Sequence, residues 1–156
     1  MSLSDFFTFG IIPPWEVLLR ILLACALGFF LGYERSRKGK PMGYRAYIIV
    51  CVTTALLAIM GQVLYEDYAY ASEVLTIDLA KIIAGTLTGI GFLGAGAIMR
   101  DIDHKEVSGT ATGASVWASG GLGLMLGFGQ YALVLIGFLA IFISLTLLKK
   151  AVEVAE

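Results

Sequence analysis

The run Ile82-Ile83-Ala84-Gly85-Thr86-Leu87-Thr88-Gly89-Ile90-Gly91-Phe92-Leu93-Gly94-Ala95-Gly96-Ala97-Ile98-Met99 decides the fold class. Its eighteen residues carry no charge, close to the about 20 apolar residues a helix needs to cross a bilayer. Four more stretches resemble it: Val17 to Tyr33, Ala46 to Leu64, Val107 to Gly127 and Tyr131 to Leu148. Lipid cannot satisfy an open strand's backbone groups, and none of these runs alternates as a barrel strand must. The chain therefore reads as an all-α integral membrane protein with five transmembrane helices. Composition agrees: 58% of residues are hydrophobic, 15% are charged, and the mean hydropathy is +0.86. A soluble domain has about 25% charged residues. A net charge of −1 offers no basic face for nucleic acid.

Charge placement sets the expected topology. The first connection holds Arg35, Arg37, Lys38, Lys40 and Arg45, the third Arg100 and Lys105, and the tail Lys149 and Lys150. The second connection, Tyr65 to Asp78, holds only acidic charges. The positive-inside rule puts the N-terminus outside and the C-terminus in the cytoplasm. Residues 1–16 then form an interfacial N-terminal segment, 17–148 the five-helix domain and 149–156 a short tail. The first span lacks the basic n-region of a signal peptide.

Small residues mark helix interfaces in lipid. Gly28 and Gly32 on the first helix, Gly85, Gly89, Gly91, Gly94 and Gly96 on the third, and Gly109 and Gly113 on the fourth are the expected packing glycines. They predict a centre built from helices one, three and four. A second reading has the glycines breaking helix three or four around a cavity, as in many transporters. Gly89 to Gly94 matches G-x-G-x-x-G, but inside a membrane run it is no dinucleotide site.

Ionisable groups in or beside spans are functional candidates. Glu16 with Arg20, and Asp78 with Lys81, have helix-face spacing for neutralising pairs. Glu34 ends the first glycine stripe, and Arg35 and Arg45 flank the basic loop, whose cations suit membrane lipids. The outer carboxylates Glu66, Asp67, Glu73 and Asp78 suit a hard cation only weakly, so the metal is left open. His104 between Asp103 and Lys105 reads as a turn residue. No histidine base accompanies the serines and threonines of helix four, so neither an enzyme nor a cofactor is expected.

Leu31-Gly32-Tyr33-Glu34-Arg35, Gly43-Tyr44-Arg45, Asp78 to Ile98 with its run Ala84 to Ile98, and Gly109 to Trp117 resemble the MgtC/SapB family of bacterial and archaeal inner-membrane proteins. The likeness covers about residues 17 to 148. It implies a five-helix hydrophobic domain in the cell (inner) membrane, of the short SapB-like or YhiD-like type without a C-terminal cytoplasmic domain. It marks Glu34, Arg35, Arg45, Asp78, Lys81 and Arg100 as the polar motif residues. Lys81 stands where the family often has arginine, Leu79 where it often has proline, and Ser108 where arginine is frequent. The family's links to magnesium limitation, acid stress and modulation of an ATP synthase imply a regulator acting through other membrane proteins. The alternative is a small oligomeric ion transporter or channel, magnesium first. Self-association is expected in either case, with a dimer favoured on base rates.

Overall fold

The computed structural model describes residues 9–40, 42–69, 77–100 and 107–153, with the backbone alone at 69, 99–100 and 147–153. The described residues form α1 (Pro14–Arg37), α2 (Tyr44–Ala69), α3 (Leu79–Gly96), α4 (Thr110–Gly127) and α5 (Tyr131–Glu153). A two-residue antiparallel ribbon, β1 (Met99–Arg100) and β2 (Val107–Ser108), lies between α3 and α4. Length and composition suit α1, α2 up to Tyr68 and α3 to crossing a membrane. The eighteen residues of α4 give it about 27 Å of length, near the roughly 30 Å hydrocarbon core.

The helix ends follow from local chemistry. Pro14 opens α1, where its missing N–H costs nothing. Gly39, at φ 62°, closes α1: its N–H reaches the Ser36 carbonyl and that of Lys40 reaches Arg35. Gly129, at φ 73°, ends α4 the same way, through Leu126 and, from Gln130, Met125. Both are Schellman ends, which need a left-handed residue and so select glycine. The Asp78 carboxylate caps α3, accepting from the backbone N–H groups of Ala80 and Lys81 at 3.0 and 3.4 Å.

Packing departs from the expected centre. α4 is the axis, with eleven of its eighteen residues buried. α2 lies along it and α1 packs on α2, while α3 buries only Ile90 and Gly94. The central pair is thus α2 with α4, and α3 is peripheral. Close approach explains the choice. A Cβ on Gly28 would lie 2.6 Å from the Cα of Ile48, and one on Gly32 2.5 Å from that of Tyr44, so α1 and α2 meet backbone to backbone. Gly123 faces Cys51 and Thr54, and Gly127 faces Ala55 and Ala58, so α2 brings small residues other than glycine to α4. Gly94 and Gly113 press against each other's carbonyls, and Ile90 covers Gly120. By contrast a Cβ on Gly85, Gly89, Gly91 or Gly96 would meet nothing within 4 Å. These four open surface instead of closing it within this chain.

Two further expectations change. Met99 leaves the third span, and Val107 and Ser108 leave the fourth, to pair as Met99 with Ser108 and Arg100 with Val107. Gly109 is the cause: at φ 85° it turns the chain into α4, and its missing side chain makes room for the Ala97 carbonyl. Helices α3 and α4 are each continuous, so the glycines do not break them. α5 turns Leu133, Leu135, Ile136, Leu139 and Ile143 outward, as a lipid-facing helix does.

The packing predicts opposite outcomes at two glycines. Gly28→Val drives a side chain into backbone and should lower stability by at least about 1–3 kcal/mol. Gly85→Ala meets open space and gains helix propensity, so the thermal midpoint of detergent-solubilised protein should hold or rise. Equal losses at both sites would contradict this packing.

Candidate functional site: two buried arginines and a hydroxyl seam

The polar groups of the interior fall into two clusters. At the C-terminal end of α1, Arg35 is only 4% exposed and donates from Nη2 to Thr112 Oγ1 of α4 at 3.0 Å. Its Nε is buried without a hydrogen-bond partner among the described residues. Thr112 starts a seam of hydroxyls along one face of α4. Ser115 Oγ donates to the Thr112 carbonyl at 2.9 Å, so its 2.7 Å contact with Tyr47 is the phenol donating to the serine. Ser119 Oγ then donates to the Tyr47 carbonyl at 3.1 Å, and Thr54 Oγ1 to that of Cys51 at 3.1 Å. Thr112 is thus engaged by α1, and the other hydroxyls within or between α2 and α4. Such bonds in a membrane contribute about 0.6 kcal/mol on average.

Beside this seam, Glu34 forms an ion pair with Lys38 one turn on. Both carboxylate oxygens are buried, and neither has a partner in hydrogen-bond geometry among the described residues. The contact is therefore electrostatic, in the Glu-before-Lys order that favours an i,i+4 pair.

The second cluster surrounds Arg20, 6% exposed near the N-terminal end of α1. Its Nη1 donates to the Gly127 carbonyl at 2.5 Å and to Gln62 Oε1 at 3.0 Å. Its Nη2 donates to Glu16 Oε1 at 2.5 Å, and its Nε to the Tyr131 hydroxyl at 3.4 Å. The Tyr131 hydroxyl in turn donates a hydrogen bond to Glu16 Oε1 at 3.2 Å. One guanidinium thus ties together α1, α2, the end of α4 and the start of α5. It also places a cation where the α4 dipole is negative. The left-handed Gly129 leaves it room, since a Cβ there would lie 2.9 Å from Nη2. The Glu16–Arg20 pairing read from spacing is present, but as one arm of a four-helix clamp. Between the clusters, the buried Ala55, Ala58, Leu122 and Leu126 make an apolar layer.

The structure scatters the other motif residues. Arg45 is exposed on the first turn of α2. Asp78 is the α3 cap, and Lys81, with its side chain 85% exposed, stands 3.8 Å from it. Arg100 lies on β1, where only the backbone is described. Glu73, Asp101, Asp103 and His104 lie outside the described residues. Glu66 accepts from the Ile11 N–H at 3.1 Å, tying the N-terminal segment to α2. Among the described residues no three of His, Cys, Asp or Glu converge as metal ligands. Sequence reading missed Tyr47, Gln62, Thr112, Ser115, Ser119 and Tyr131. The 112, 115, 119 spacing of one helix face was the available signal for three of them; nothing in the sequence singles out Gln62 or Tyr131.

The Arg20 clamp makes a sharp prediction. Arg20→Met removes bonds to four helices and should cost at least about 2 kcal/mol, read from denaturation midpoints in detergent. Arg20→Lys should recover little, because one ammonium cannot serve acceptors spread around a planar fork. Thr112→Val should cost about 1.5–3 kcal/mol through loss of the acceptor for Arg35. Full recovery by lysine would show that charge alone matters.

The profile of the MgtC family matches residues 21–154, from within α1 to the end of α5. The chain is 33% identical to the protein SapB of Bacillus subtilis over 88% of its length and 59% of that protein's. It is 31% identical to the protein MgtC of Salmonella typhimurium over 87% of its length and 54% of the relative's. It is 30% identical to YhiD of Escherichia coli, whose name proposes magnesium transport, over 78% of its length and 55% of the relative's. The chain therefore spans just over half the length of these curated relatives. No solved structure matches it. A match that runs through all five helices makes this chain a member of the MgtC family of membrane proteins.

Proposed function

We propose that this protein is a non-enzymatic regulator of ion homeostasis that works by binding another membrane protein through α3. One observation carries the reading. Gly85, Gly89, Phe92 and Gly96 recur along a single face of α3, opposite the buried Ile90 and Gly94. The three glycines of that face meet nothing within 4 Å, and Phe92 is 82% exposed. Small residues flanking one large knob are what a second transmembrane helix packs against in lipid, where van der Waals contact must replace the hydrophobic effect. A second copy of the chain and a larger complex both fit this description, and a homodimer through this face is the simplest form. The proposed topology keeps the N-terminus outside and the Arg35-to-Arg45 connection and C-terminus in the cytoplasm of a bacterial or archaeal cell.

Transport of magnesium is the competing function, favoured by the name of YhiD. Against it stands the layer of Ala55, Ala58, Leu122 and Leu126 between the two polar clusters. Those four side chains offer no oxygen, and the Thr54 hydroxyl beside them is already bonded to the Cys51 carbonyl, which is a poor path for an ion that sheds water reluctantly.

Gly89→Leu should leave the melting temperature unchanged, since its side chain enters open space, yet abolish co-purification of the partner after mild cross-linking in native membranes. Proteoliposomes loaded with a magnesium indicator should show no flux in either orientation. Magnesium entry above empty vesicles, or unchanged co-purification by the leucine variant, would overturn the reading.

A further inference from the structure

Three grooves on the outer surface of the bundle are lined by described residues, and among these three one has charged walls. The groove between α4 and α5 is lined by alanines, serines, Ile141 and Leu145, and that between α2 and α3 by apolar residues, threonines and glycines. The third lies between α1 and α5, has a volume of about 530 Å³, and is lined by Phe30, Tyr33, Glu34, Arg37, Lys38 and Phe142.

The order of these residues along α1 is what a phospholipid requires. Phe30, with Phe142 across the groove, makes an apolar floor. Glu34 follows one turn later, and Arg37 and Lys38 close the end. Arg37 sits with its guanidinium 5.8 Å from the centre of the Tyr33 ring, which holds it at the mouth. Glu34, with its oxygens buried, holds Lys38 beside it. Among the described residues, two cations against one carboxylate leave the lining with a charge of +1, the complement of a single phosphodiester. Its volume falls within the roughly 300–1,000 Å³ range of ligand pockets.

We infer that this groove is a binding site for an anionic glycerophospholipid, its phosphate held by Arg37 and Lys38 and its acyl chain laid over Phe30 and Phe142. Every membrane protein touches lipid; what the groove adds is retention of one class at one place. The inference is independent of the α3 reading, because it concerns the opposite helices and a different occupant.

Native mass spectrometry of the full chain in detergent tests it, with phosphatidylglycerol and phosphatidylcholine of matched acyl chains as probes. Wild type should retain phosphatidylglycerol over phosphatidylcholine. The double variant Arg37→Ala/Lys38→Ala should retain roughly tenfold less phosphatidylglycerol. Arg45→Ala removes an exposed cation outside the groove and should match wild type. Should the double variant fail to fold, Arg37→Gln alone must still lower retention, since that side chain is exposed and sits over the Tyr33 ring. Equal retention of both lipids would show no selection for the anionic headgroup, and an equal loss in Arg45→Ala would show bulk surface charge; either result would refute the site. A protein helix cross-linked into the groove in place of lipid would refute it as well.

Discussion

The structure depends on how closely α2 and α4 approach. Lipid tails are as apolar as leucine, so no hydrophobic force draws transmembrane helices together. Contact between backbones and a few satisfied hydrogen bonds must do it. Gly123 against Cys51 and Thr54, Gly127 against Ala55 and Ala58, and Ser119 on the Tyr47 carbonyl supply both. α1 then joins through Gly28 and Gly32, and α3 through Gly94 and Gly113, each by the same close approach. With α4 so enclosed, its threonine and serines can point inward, where each finds a partner. That explains how the span richest in glycine, serine and threonine comes to sit in the middle.

The two buried arginines fix the ends of this arrangement. Arg20 ends the α4 carbonyl series at Gly127 and reaches Gln62, Glu16 and Tyr131. Arg35 holds Thr112 near the other end of α4. A charge in this position is costly unless bonded, so each arginine favours one register of α1 against α4. Register in turn decides which face of α3 is left outward, because α3 meets α4 through the Gly94–Gly113 contact and the Ile90 side chain over Gly120, and meets α2 where Leu79 and Ile82 approach Gly61.

Helix number and the order of polar motifs were legible because uncharged runs of membrane length and charge asymmetry are properties of the chain itself. Packing was not, and the reason is specific. A glycine reports that a helix can be approached, never from which side or by what. Gly28 and Gly32 are approached by α2, while Gly85, Gly89 and Gly96, equally regular in sequence, have no neighbour within 4 Å of a Cβ. The small residues on α2 that do meet α4 are cysteine, threonine and alanine, which spacing alone cannot separate from ordinary span residues. Arg20 was visible as half of a pair, but three of its partners lie 42, 107 and 111 residues away. The turn at Gly109 likewise depends on the Ala97 carbonyl it accommodates, so the start of the fourth span could not be read locally.

The central claim is that α3 presents its glycine face to another membrane helix. Site-specific photo-cross-linking in native membranes tests it most directly, with the probe at Phe92 on that face and, for comparison, at Ile136 on the exposed face of α5. The account predicts a discrete protein adduct from position 92 and only lipid adducts from position 136. Lipid alone at both positions, or the same protein adduct from each, would contradict it.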